Sequence, residues 1–151
     1  LGCAQIEEAS ENIAARRKNA KLLFDRLARW ERYLQLPRIA ENRDHSFMMF
    51  PIVLKDALPF SREELMFFLE ECNIETRTMV SILDQPYYKR LFGQNIEDKY
   101  PVAKWIDHCG FYIGCHMEIS HEEIEFIGSA FDEFFRKHSL ADDTAAAPEG
   151  A

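Results

Sequence analysis

Apolar residues recur at seven-residue spacing through the start of the chain, at Ile6, Ile13, Ala20, Leu27 and Leu34, with Ala9, Leu23 and Trp30 filling the adjacent line. Only an α-helix gathers that spacing onto one face, so residues from about 4 to 34 are expected as one long amphipathic helix. With about 1.5 Å of rise per residue it would span roughly 45 Å. A domain of 151 residues does not need that length to cover its own core, so part of the stripe is expected to pack on something outside these residues. The pattern is already running by Ile6, with no N-cap residue ahead of it, and the first residue is Leu1. The chain therefore reads as a piece of something longer. Pro37 ends the helical stretch.

Beyond Pro37 the periods alternate. His45–Leu54 is continuously apolar after its first two residues, which predicts a strand covered on both faces, with Pro51 placing its far end near an edge or bulge. Ser61 and Glu64 form a capping box, Phe60 and Leu65 flank it as a staple, and a helix is expected from Arg62 to about Glu71. Asn73–Val80 alternates Ile74, Thr76, Thr78 and Val80 against Glu75, Arg77 and Met79, a strand pattern. Gln85–Phe92 reads as a short helix closed by Gly93, and Tyr100-Pro101 opens another that Gly110 closes after Cys109. Phe111–Met117 is the third strand. Ser120 and Glu123 repeat the capping box before a last helix that buries Ile124, Ile127, Phe131, Phe134 and Phe135. The expected fold is a small layered α/β domain with a sheet of about three strands packed with helices. Ser139–Ala151 is small and acidic, and is expected to be a disordered tail.

Charge narrows the partners. Eighteen basic residues against 26 acidic ones leave a net charge of −8, too few cations for general binding to nucleic acid or an anionic membrane surface. No apolar run approaches the roughly 20 residues of a membrane helix, and no signal-peptide pattern opens the chain. Four cysteines (Cys3, Cys72, Cys109 and Cys115) are too sparse for a disulfide scaffold. Reduced thiols and a cytoplasmic location are expected.

Few residues carry chemistry by their pattern alone. His108, Cys109, Cys115 and His116 are the types that bind zinc, but strand alternation sends Cys115 and His116 to opposite faces, and the spacing matches no zinc ribbon, so no metal site is expected. His116 shares a face with Tyr112 and Gly114 and can line a cleft. Arg77 can present its planar fork to a phosphate or carboxylate, or pair within the sheet with Glu75. Of the tyrosines at 87 and 88, one ring is expected inward and one outward. The basic run Arg16-Arg17-Lys18 is expected solvated or paired with Glu7, Glu8 and Glu11. No glycine-rich phosphate loop and no nucleophile elbow is present.

Taken together, several segments carry a resemblance. The opening LGCAQIEEASENIAARRKNAKLL, the strand HSFMMFPIVL, the capped helix SREELMFFLEECNIETR, the turn QPYYKRLFG and the closing YPVAKWIDHCGFYIGCHMEISHEEIEFI follow one another over residues 1–138. In this order they resemble the C-terminal small domain of the DegT/DnrJ/EryC1/StrS family of pyridoxal-phosphate-dependent nucleotide-sugar aminotransferases. The resemblance implies a fold-type I enzyme in which residues 1–34 are the long connecting helix. It implies that an N-terminal large domain, absent from these residues, supplies the Schiff-base lysine and most cofactor contacts. No catalytic or cofactor-binding residue is then expected here, and no bound cofactor in the isolated domain. The whole enzyme would move an amino group, with glutamate as the expected donor, onto a keto-sugar nucleotide, working as a homodimer. Carried over by position, Arg77, Ser81 and His116 are the expected substrate-binding residues. Met79-Val80-Ser81-Ile82-Leu83-Asp84 departs from the family, several of whose members have a histidine or asparagine there, so a dehydratase relative stays open. So do a stand-alone binding module pairing through the long helix and a non-catalytic paralogue.

Overall fold

The computed structural model describes residues 2–55 and 57–141. Five helices pack with one sheet: α1 (Gly2–Leu27), α2 (Arg62–Glu71), α3 (Pro86–Phe92), α4 (Pro101–Cys109) and α5 (His121–Lys137). The strands are β1 (Leu34–Gln35), β2 (Met49–Leu54), β3 (Thr76–Thr78) and β4 (Gly110–Gly114). Their order is β1-β2-β4-β3, with every neighbour antiparallel. The sheet thus has four strands where the patterning predicts about three, because a two-residue strand is too short to show a period.

Register divides the sheet into two faces. Phe50, Ile52, Leu54, Thr76, Phe111 and Ile113 point to the inner face and are buried. They pack with Leu23 and Leu27 of α1, Leu65 and Leu69 of α2, and Ile124, Phe131 and Phe135 of α5 in one core. Edge-on ring contacts tie the layers, Phe24 to Phe50 at 5.0 Å and Phe60 to Phe134 at 4.8 Å. The outer face carries Met49, Pro51, Tyr112 and Arg77, of which the last three stand in one cross-strand row. Helix α4 covers one end of that face, and Trp105 Nε1 donates to Leu54 O at 3.0 Å.

Both capping boxes form as predicted, Ser61 with Glu64 and Ser120 with Glu123, and both helices start where the boxes place them. Gly93, at φ 100, ends α3 in a conformation that glycine adopts without strain. Pro51 sits mid-strand, but β1 reaches only Val53 and Leu54, so β2 is paired on one flank alone at the proline.

Several boundaries differ from expectation. The first helix ends at Leu27, not near residue 34: a 3₁₀ turn over Ala28–Trp30 brings the Trp30 indole to Asp132 Oδ1 at 2.7 Å, and Leu34 then pairs with Leu54. The strand expected from His45 starts at Met49, because Phe47 takes φ 48 and turns the chain there. The strand expected over Asn73–Val80 shortens to Thr76–Thr78, the three residues in register with Ile113–Phe111; β4 itself stops at Gly114, three residues before the expected end.

The first turns of α1 stand clear of the domain. Ile6 is 75% exposed, whereas Ala20, Leu23 and Leu27 on the same face are buried. At the other end Leu140 packs on the core and its N–H reaches Phe135 O at 3.1 Å. Residues 142–151 of the expected tail lie outside the described residues.

Candidate functional site

On the outer face, a cleft of about 500 Å³ opens between the sheet and α4. Met49 and Tyr112 form its floor, Ala103 and Ile106 one wall, and Thr78, Met79, Val80 and Ser81 the other. The lining is mostly apolar, with hydroxyl-bearing Ser81 and Tyr112 among it. That composition suits a ligand with one apolar surface and a few hydrogen-bonding groups.

The Ser81 wall is held by local chemistry. Ser81 caps a 3₁₀ turn over Ile82–Asp84, its Oγ accepting the Leu83 N–H at 3.1 Å. Its own N–H donates to Asp107 Oδ1 on α4. Arg62, at the start of α2, donates to the carbonyls of Asp107 and Gly110 and pairs with Glu63. Burial raises the Glu63 carboxyl, but the hydrogen bond from Arg62, a backbone hydrogen bond and the Arg62 charge together outweigh it and the net shift is downward. Farther along the same wall, a hydrogen bond from Lys89 holds Asp84 below the usual carboxylate range and lifts Lys89 in return. Asp107 and Arg62 carry no local sequence signal, since their partners lie 26 and 45 residues away.

The three sequence-predicted substrate residues are not gathered in one place. Ser81 lines the cleft. Arg77 stands beside Tyr112 on the same sheet face, 65% exposed, with its Nη2 paired to Glu75 Oε1. His116 is exposed in a second cleft of about 480 Å³, which also takes in Glu75, Ile113 and Glu123. The Cys115 side chain is buried behind it, with its thiol pushed up to about 11 by desolvation. Cys115 and His116 therefore lie on opposite sides of the strand end, and among the described residues no group of three His, Cys, Asp or Glu side chains gathers. Tyr87 is exposed and Tyr88 half-buried, the arrangement expected of that pair. Arg17 leaves the acids of its own helix and turns to the loop before β2, where its Nε donates to His45 O at 2.9 Å.

Comparison with known proteins is decisive at the family level. The DegT/DnrJ/EryC1/StrS aminotransferase family model matches residues 1–132. The chain belongs to this family. It is 30% identical over 136 residues to the lipopolysaccharide biosynthesis protein RfbH of Salmonella typhimurium, covering 89% of this chain and 31% of that protein. It is 29% identical over 127 residues to the GDP-4-keto-6-deoxy-D-mannose 3-dehydratase of Yersinia pseudotuberculosis, covering 83% and 32%. Among solved structures, the E. coli GDP-4-keto-6-deoxy-D-mannose-3-dehydratase with bound hydrated PLP superposes with a TM-score of 0.71 at 25% identity, over 85% of this chain and 33% of that one. As a DegT/DnrJ/EryC1/StrS chain, this one spans about a third of the length of the relatives it matches.

No lysine and no acid line the Met49–Tyr112 cleft. Lys21, Lys55, Lys89, Lys104 and Lys137 are each engaged elsewhere, by Asp25, Glu31 O, Asp84, Asp98 and Glu133. Hydrogen bonds donated to Asp84 and Asp98 raise Lys89 and Lys104, the reverse of the lowering that activates a lysine nucleophile.

Proposed function

We propose that this chain is the C-terminal small domain of a pyridoxal-phosphate-dependent enzyme acting on a keto-sugar nucleotide, and that it forms one wall of the sugar-nucleotide site. The observation that carries this reading is the family match over residues 1–132 of a chain about a third as long as its relatives. The large domain, in the part of the protein beyond this chain, supplies the lysine and the cofactor contacts, and the isolated domain binds no cofactor and has no activity of its own. Residues 1–34 connect the two domains, and 1–138 make up the small domain.

The outer sheet face is the wall. Ser81 and Tyr112 offer hydroxyls to the sugar, Met49, Met79 and Ile106 exclude water from its apolar surface, and Arg77 reaches an anionic group of the substrate. His116 contacts the substrate from the neighbouring strand end. The reaction is transfer of an amino group from glutamate to the keto carbon. The enzyme is a cytoplasmic homodimer. A second reading, dehydration at the sugar, is favoured by the names of the Yersinia and E. coli relatives.

Sequencing the source DNA upstream of the Leu1 codon tests the proposal. An open frame that continues into a large α/β domain with a candidate Schiff-base lysine supports it. A start codon at that point overturns it and leaves a stand-alone binding module. Glutamate consumed in step with aminated sugar, by the purified full-length protein, separates amino transfer from dehydration.

A further inference from the structure

From Met79 to Cys109 the chain leaves the core. Ile96 alone is buried among the described residues of that stretch, and Val80, Ile82, Leu91 and Phe92 are exposed. Most of both walls of the Met49–Tyr112 cleft belongs to it, Met79, Val80 and Ser81 on one side and Ala103 and Ile106 on the other. Apolar burial therefore does little to fix the separation of the walls, and polar bonds take that part.

Two side chains of opposite charge supply those bonds. Arg62, 14% exposed at the start of α2, donates from Nη1 to Asp107 O in the last turn of α4 and to Gly110 O, at 3.2 Å, where β4 begins. Gly110 O also accepts the Met79 N–H at 3.1 Å, so one guanidinium nitrogen and one carbonyl hold both walls at the start of β4. That corner has no slack. A side-chain carbon at Gly110 would lie 2.3 Å from Ile106 O and 3.1 Å from Met79 Sδ. One further bond runs between the walls: Asp107, next to Ile106 on α4, accepts the backbone N–H of Ser81 on Oδ1.

We propose that Asp107 is a positioning residue that fixes the Ser81 wall against α4 and so sets the width of the cleft and the fit of the sugar, a role that rests on the reading of this cleft as the sugar-nucleotide wall. Asp107 does not itself line the cleft, so it acts through Ser81. A displacement of about 1 Å in the groups that shape a site is enough to impair it. Lys89, raised chiefly by the bond it donates to Asp84, also feels the Asp107 charge. Asp107→Asn separates the two effects, because it keeps a carbonyl oxygen for the Ser81 N–H and removes the charge.

The test compares Asp107→Ala and Asp107→Asn in the full-length enzyme, by hydrogen exchange over residues 79–85 and by steady-state kinetics with GDP-4-keto-6-deoxy-D-mannose, the sugar nucleotide in the names of the Yersinia and E. coli relatives. Asp107→Ala is expected to speed exchange of the Ser81 amide about tenfold or more. It is expected to raise the KM for the sugar nucleotide about fivefold, the loss of one hydrogen bond, with kcat within about twofold. Asp107→Asn is expected to restore both. Should Asp107→Ala lose its melting transition, Asp107→Leu, of similar size and unable to accept, takes its place. Exchange unchanged in a folded variant, or no recovery in Asp107→Asn, overturns the proposal. Ser81→Ala, which keeps its backbone N–H, separates this proposal from the reading beneath it. Faster exchange in Asp107→Ala with an unchanged KM overturns the proposal alone if Ser81→Ala raises that KM, and overturns the sugar-nucleotide reading with it if Ser81→Ala does not.

Discussion

Asp132, 4% exposed on α5, accepts from Trp30 Nε1 and Arg26 Nη2 at 2.7 Å and from Arg29 at 3.5 Å, fastening the end of α1 and the turn after it to α5. Burial raises its carboxyl, but the bonds from Arg26 and Trp30 win and the net shift is downward. Asp132→Asn keeps the shape and removes the charge, leaving Arg26 partly buried beside a neutral amide. A loss of about 3 kcal/mol in urea denaturation is expected. Glu64, Glu70 and Glu123 are also held low, by hydrogen bonds from Ser61, Thr76 and Ser120. A carboxyl with a lowered folded pKa contributes stability that is whole above its unfolded value and lost as the pH falls through the folded one. Unfolding free energy should therefore fall once the pH drops below about 4, with no matching loss from these groups between about pH 5 and 7. Denaturant midpoints across that range check the sign. The contacts of Asp132 with α1 and the turn after it were not legible in the sequence, because Arg26, Arg29 and Trp30 lie 102 to 106 residues away.

At the scale of elements, the legible features were those decided within a few residues. Serine three before glutamate placed the starts of α2 and α5, and Pro101 the start of α4. Gly93 placed the end of α3. Ser120→Ala removes the acceptor for the Glu123 N–H and is expected to cost about 1 kcal/mol in thermal or urea unfolding. What the sequence hid were ends decided by neighbours. The seven-residue stripe continues through Trp30 and Leu34, yet both are buried by a turn and a strand pairing rather than by more helix. The same stripe holds two kinds of position. Leu23→Ala opens a cavity in the core and should cost about 2–5 kcal/mol, while Ile6→Ala at the exposed end should stay within about 0.5 kcal/mol. Equal costs at the two positions would mean that the first turns of α1 are packed in this chain.

For the whole molecule, the exposed start of α1 and the open outer sheet face are the two surfaces that a larger family member has reason to cover. Family membership was legible because five motifs recur in order over the folded residues, though each is short. The composition of the cleft was less so. Ser81 could be carried over by position, but Met49, Ile106 and Tyr112 converge only through the β2–β4 register and the packing of α4. Asp107 holds the Ser81 wall from a helix whose sequence shows no sign of that duty. The central claim is that this wall binds the sugar nucleotide while the other domain performs the cofactor chemistry. It is tested most directly in the full-length enzyme by measuring both half-reactions in Arg77→Ala and Ser81→Ala. The expected result is a KM for the sugar nucleotide raised by about tenfold, one lost hydrogen bond to a charged group, with the glutamate half-reaction unchanged. Equal losses in both half-reactions, or no change in either, would contradict it.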